Sequence, residues 1–302
     1  MLKILHVSDV HFGPPYVPEV GEALLRAAAE LEVNLVVASG DFTQRARPEQ
    51  FAAARAFLDR LPGVPTVVTP GNHDVPLYRV FERLFDPYRY YRQYISPELD
   101  SVLRLEHAVV VSLNSTAPLR AIVNGRIDKW QLDFLARALA DVPPGSSRIL
   151  VAHHHFAPAP DYEADQVMPG AKHAMERFQA LNIDLIMGGH LHRAYIGNSL
   201  DVYPGKQRRR GIIIVQSGTS TSQRGRARER EKNSFNLVRL GEDRVRVTHY
   251  MFFAELGGFA PISRHIFPRP GHHWLAEARG EPEEGIALAP PPDVVAWAEP
   301  GV

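Results

Sequence analysis

Five short segments of the chain carry residue types that bind metal ions: Asp9-Val10-His11, Gly40-Asp41, Gly71-Asn72-His73-Asp74, His153-His154-His155 and Gly188-Gly189-His190-Leu191-His192. Together they offer Asp9, His11, Asp41, Asn72, one histidine of the 153–155 run, His190 and His192. This is a donor set of carboxylate, amide and imidazole with no sulfur, which suits Mn, Fe or Zn. Seven donors exceed what one ordinary ion needs and match two, provided a carboxylate is shared. Asp41 is the natural bridge, because it comes from the middle one of the first three segments. Asn72 adds a neutral carbonyl oxygen, which limits the negative charge and leaves the site able to accept a phosphate. Gly40, Gly71 and Gly189 let the backbone turn sharply and come close to the ions without a Cβ in the way.

Each segment follows an apolar run that must position it. Lys3–Val7, Val33–Ala38 and Thr66–Thr69 read as buried strands, with helices over Glu19–Glu32 and Pro48–Leu61 between them. Pro48 suits a first helical turn. The first three segments recur at intervals of about 30 residues, the length of one strand-plus-helix unit. The pattern therefore predicts a largely parallel sheet. Successive parallel strands release their chains at one edge, where open α/β folds place their ligands. Ile149–Ala152 and Leu185–Met187 deliver the fourth and fifth segments in the same way. Further strands are expected at Val102–Leu105 and Val109–Leu113, and helices at Asp128–Ala140, capped by Asp128, and Ala171–Leu181. After residue 200, the runs Leu200–Tyr203, Gly211–Gln216, Phe235–Leu240 and Arg244–Tyr250 read as mostly antiparallel strands of a second sheet.

In this order, D-x-H, G-D, G-N-H-D, a strand-ending histidine and G-H-x-H resemble the calcineurin-like metallophosphoesterase superfamily over roughly residues 1–240. The resemblance implies a four-layer α/β/β/α sandwich with two mixed β-sheets. It implies one ion on Asp9, His11, Asp41 and His192, and a second on Asp41, Asn72, His153 and His190. His153 is preferred over His154 because it is first off the strand, with Pro158 five residues later as in the family's H-H-P-P-x-P form. Two such ions hold a hydroxide at neutral pH and clamp phosphate oxygens for in-line attack. By the same resemblance His73 contacts the phosphate or protonates the leaving oxygen, oriented by Asp74, while Asn72 also touches substrate. Within that superfamily the chain most resembles bacterial cyclic-nucleotide and glycerophosphodiester phosphodiesterases, which implies a metal-dependent phosphodiesterase acting on a small-molecule diester, with 3′,5′-cyclic AMP the first candidate. Phosphomonoesterase, nucleotide-lipid pyrophosphatase or recombination-repair nuclease activity is the catalytic alternative. A non-catalytic scaffold, like the phosphoesterase-like subunit of retromer, would be expected to have lost ligands that this chain keeps.

The composition narrows the remaining classes. The 302 residues carry 34 Lys+Arg against 34 Asp+Glu, so no general attraction to nucleic acid or to an anionic membrane is expected. With no cysteine, disulfides and thiolate chemistry are excluded. The absence of a long apolar run or signal-like start makes a cytoplasmic protein the default expectation. From Phe252 onward the chain is proline-rich without a long periodic segment, yet it holds Phe259, Phe267, Trp274 and Trp297. The tail 252–302 is therefore expected to pack on the catalytic domain 1–251 or on a second subunit of a homodimer. His6 reads as a core histidine; His107, His173, His249, His265, His272 and His273 read as surface or structural. Tyr88, Tyr90, Tyr91 and Tyr94 read as helix packing, and Lys206–Arg210 as a solvated loop. Arg224 or Arg226, beyond the run Gly218–Ser222, could reach the cleft and hold an anionic substrate.

Overall fold

The apolar runs of the first 70 residues become β1 (Leu2–Val7), α1 (Pro18–Glu30), β2 (Leu35–Ala38), α2 (Pro48–Leu58) and β3 (Thr66–Val68). In this computed structural model, residues 1–158, 167–202, 211–225 and 232–270 are described. The chain continues through α3 (Val80–Phe85), α4 (Arg89–Tyr94), β4 (Ser101–Leu105), β5 (Ala108–Ser112), α5 (Lys129–Leu139), β6 (Ser147–Val151), α6 (Ala171–Ala180) and β7 (Leu185–Gly188). It closes with β8 (Tyr195–Asn198), α7 (Ser199–Val202), β9 (Ile213–Gln216), β10 (Ser234–Leu240), β11 (Arg244–Phe253) and β12 (Gly258–Pro268). Pro48 opens α2 as expected. Asp128 caps α5, where Gln131 Oε1 accepts its backbone N–H at 2.9 Å.

The strands form two mixed sheets of six, ordered β12-β11-β10-β1-β2-β3 and β4-β5-β6-β7-β9-β8. β1, β2 and β3 are parallel, as are β5, β6, β7 and β9. Ile4, Val37, Val151, Leu185, Val215 and Val238 meet in the core between the sheets. The outer face of the first sheet packs on α1, α2 and α4 through Leu24, Phe51 and Tyr91, and that of the second on α5 and α6 through Leu135 and Phe178. The result is the four-layer α/β/β/α sandwich. Among the described residues no helix is long and apolar enough to cross a membrane.

The late strands do not assemble as one separate sheet. β9 inserts parallel beside β7, whereas β10 pairs antiparallel with β1, so the last strands complete both sheets. Of the run Leu200–Tyr203, Leu200–Val202 lies in α7 rather than in a strand, the edge strand being β8 just before it, and Tyr203 lies outside the described residues. The expected boundary at Phe252 also moves, because β11 runs through Phe253 and β12 pairs with it as far as Pro268. Trp274, Trp297 and the rest of the proposed tail lie outside the described residues, as do Lys206–Arg210 and Arg226. His6 is fully buried in the core, and Tyr91 packs against Phe42 and Phe51.

Candidate metal centre

The loops after β1, β2 and β3 from one sheet and after β6 and β7 from the other meet at one edge of the sandwich. Two side-chain clusters result, Asp9-His11-Asp41-His192 and His153-His154-His190, each with potential donor atoms within 4.8 Å of one another. Asp41 lies between them: Oδ2 is 3.6 Å from His11 Nε2, while Oδ1 is 3.5 Å from His153 Nε2. Asn72 Oδ1 sits 3.2 Å from His153 Nε2 and 2.9 Å from His190 Nδ1. All seven residues expected as ligands are thus brought together from positions spread over most of the chain.

The loops hold these side chains at a conformational cost. Asp9, His11, Asp41, His190 and His192 all have φ between 50° and 73°, five of the eight non-glycine residues in the left-handed region among the described residues. Such conformations cost of order 1 kcal/mol or more each and persist where the surroundings over-determine them. Thr219 Oγ1 donates to Asp9 O at 2.7 Å and Thr221 Oγ1 to Val10 O at 3.0 Å, fixing the first loop. Two glycines are required by close approach. A Cβ on Gly71 would lie 2.4 Å from the Asp41 nitrogen, and one on Gly189 would lie 2.3 Å from Asp9 Oδ2.

The hydrogen bonds fix the tautomers. His192 Nδ1 donates to Arg224 O at 2.9 Å, His153 Nδ1 to Ser39 O at 2.8 Å and, more loosely, His11 Nδ1 to Thr43 O at 3.4 Å. With its proton on Nδ1, each ring in its neutral form turns a lone pair on Nε2 inward. His11 Nε2 and His192 Nε2 face each other at 3.0 Å, beside the carboxylates of Asp9 and Asp41. Asp9 Oδ1 and Asp41 Oδ2 are buried without a hydrogen-bond donor. Lone pairs converge on lone pairs, and only positive charge reconciles them. Imidazoles anchored through one nitrogen and free at the other are the usual metal-ligating arrangement, so the donor set fits a pair of cations.

The electrostatics agree. Burial pushes His11 down to about 4, which keeps it neutral, and pushes His190 well below the ordinary imidazole value, with His154 and His153 adding to the effect. Burial opposes ionisation of Asp9, but the neighbouring rings of His11, His192 and His153 favour it and hold its carboxyl well below the usual range.

Two neighbours depart from expectation. Asp74 does not orient His73. Within a tight turn, Asn72–Asp74, its carboxylate points away and accepts the backbone N–H groups of Gly71, Phe42 and Thr43 at 2.9, 3.2 and 2.9 Å. His73 is instead anchored by Gln44, whose carbonyl accepts from Nδ1 at 3.0 Å. Arg224 reaches the cleft edge, donating to Gln44 Oε1 at 2.9 Å. Residue types and spacing did not mark Gln44, Arg45, Tyr78, Ile122 and Val123, which line a cleft of about 400 Å³ together with Asp41, Asn72, His73, His190 and His192. His154 Nδ1 contacts Ser115 Oγ at 2.8 Å, away from Asp41 and Asn72.

The calcineurin-like phosphoesterase profile matches residues 2–194. The chain belongs to this family. Over 211 residues it is 28% identical to the 3′,5′-cyclic adenosine monophosphate phosphodiesterase CpdA of Escherichia coli K12, covering 64% of this chain and 70% of that protein. Among solved structures, a dimetal phosphatase from Danio rerio is similar with a TM-score of 0.60 at 12% identity, covering 89% of this chain and 99% of that one. The purple acid phosphatase PPD1 of yellow lupin gives 0.65 at 12% identity over 89% of this chain, which spans 54% of the lupin enzyme. The structural likenesses show the fold; the family uses dinuclear metal centres, and the two clusters supply candidate metal-binding residues.

Proposed function

We propose that the chain is a dinuclear metal-dependent phosphodiesterase, with Asp9, His11, Asp41 and His192 holding one ion and Asp41, Asn72, His153 and His190 the other. The observation that carries this reading is the inward convergence of acceptor atoms, above all His11 Nε2 and His192 Nε2 at 3.0 Å. His153 is preferred over His154 because its Nε2 faces both Asp41 and Asn72. Bound Mn, Fe or Zn would supply Lewis acidity toward a phosphoryl oxygen and lower the pKa of water. The chain does the rest. Asn72 and His73 lie in the wall of the cleft, where the phosphate would sit. His73, held by Gln44, can contact a phosphate oxygen or pass a proton to the leaving oxygen, a step typically worth about 10²–10⁴ in rate. Arg224 steadies this arrangement through Gln44. Likeness to CpdA supports a diester, with cyclic nucleotides the first class to assay.

The test is direct. Protein stripped with chelator and resupplied with Mn²⁺ is expected to hydrolyse bis-p-nitrophenyl phosphate faster than p-nitrophenyl phosphate. Asp41→Asn is expected to reduce that rate to background, and calorimetry should count about two ions per wild-type chain. Failure of both esters with every divalent metal would remove the reading, and faster monoester turnover would make the protein a phosphomonoesterase.

A further inference from the structure

The cleft beside the candidate metal-binding residues has, among the described residues that line it, no acidic side chain beyond Asp41. Tyr78 lines it, 70% exposed, with the Arg45 guanidinium 4.8 Å from its ring centroid. Ile122 and Val123 line the same cleft. An exposed tyrosine layered with a guanidinium is a flat, amphipathic surface.

That surface is held in place. Arg79, the next residue, donates from Nη1 to Arg45 O at 3.0 Å and from Nη2 to Ala46 O at 2.7 Å, tying the Tyr78 segment to the Arg45 segment. Ala46 is itself left-handed, at φ 53°, and gives its N–H to Thr43 Oγ1 at 2.9 Å. The loop that carries Ile122 and Val123 is closed by Arg126 N–H on Ser115 O at 2.8 Å, with Gly125 packed against the His154 ring. Tyr78 and Arg45 are therefore held together at the cleft.

A flat heterocycle fits such a surface, because every nucleobase has a π face that stacks without needing a particular hydrogen-bond code. A glycerol group offers no face to stack, and a choline or ethanolamine group would bring a cation toward Arg45, Arg47 and Arg79. We propose that Tyr78 and Arg45 form the platform for a nucleobase, so that the substrate is a nucleoside phosphodiester and not a glycerophosphodiester. The proposal rests on the phosphodiesterase reading of the adjoining centre, but it can be tested without turnover.

The experiment compares dissociation constants of adenosine 5′-monophosphate and glycerol 3-phosphate on the Mn²⁺-loaded full chain by calorimetry. Both probes present a phosphate, and only one carries a base. The wild type is expected to prefer the nucleotide by about tenfold or more, the scale of one stacked base. Tyr78→Ala and Arg45→Ala should each shrink that ratio, the first by about tenfold, while Tyr78→Phe keeps it. Equal affinities in the wild type, or an unchanged ratio in both alanine variants, would overturn the platform. Diester hydrolysis without a nucleotide preference would also overturn it and leave the metal-centre reading standing. A preference that disappears in Tyr78→Ala, in a protein that hydrolyses no diester, would uphold the platform and sink the phosphodiesterase.

Discussion

Thr219 shows how far from the ligands the geometry of the site is set. Its hydroxyl donates to the carbonyl of Asp9, a residue held at φ 54°. Thr219→Val keeps the shape and removes the donor, leaving a buried carbonyl short of a partner, which costs about 1–3 kcal/mol. Mn²⁺ affinity is expected to fall about tenfold, as for other residues that position ligands without touching the ion. A metal titration of the variant checks this, and wild-type affinity would show that Asp9 is held without Thr219. The convergence of the candidate ligands was legible in the sequence because donor type and strand-to-strand spacing both point to it. Thr219 was not, since a hydroxyl in a Gly-Thr-Ser-Thr-Ser run has no periodic signature. Asp74 was misread for a related reason: adjacency to His73 says nothing about which way a carboxylate points, and the turn at 72–74 sends it to the amides of Gly71, Phe42 and Thr43.

At the scale of elements, burial separates helices that carry the fold from those that ride on it. α2 drives Phe51, 1% exposed, into the core against the first sheet, whereas α3 buries no side chain and leaves Phe85 83% exposed. Phe51→Ala is expected to cost about 3–5 kcal/mol, and Phe85→Ser to stay within about 0.5 kcal/mol of wild type. Denaturant midpoints of the two variants measure the contrast. The long alternating strands and amphipathic helices could be read directly from their periods. β12 could not, because Pro261 and Pro268 count against a strand. Both lie in an edge strand, where a missing ladder donor is tolerated, and Pro261 lies opposite Tyr250, where the register shifts. β8 was missed because four residues containing Gly197 are too few to show alternation.

For the molecule as a whole, the seam between the sheets sets the response to acid. His6 on β1 and His249 on β11 flank β10, bonded to Ser39 Oγ at 3.0 Å and Asn236 Oδ1 at 2.8 Å. Burial pushes them down to about 3 and about 4, against 6.5 when free. The unfolded chain therefore binds more protons between those values and 6.5. Stability is fully present above pH 6.5 and is lost as pH falls toward 4, by at most about 1.4 kcal/mol per unit for each imidazole. Urea midpoints at pH 8, 6 and 5 should fall accordingly, with a shallower decline in His6→Gln. The five left-handed positions at the candidate metal centre carry a different consequence. Asparagine or glycine would sit there with less strain, so a library selected for heat resistance alone should exchange these aspartates and histidines early and lose the ions. Only a screen that also demands turnover would be expected to keep them.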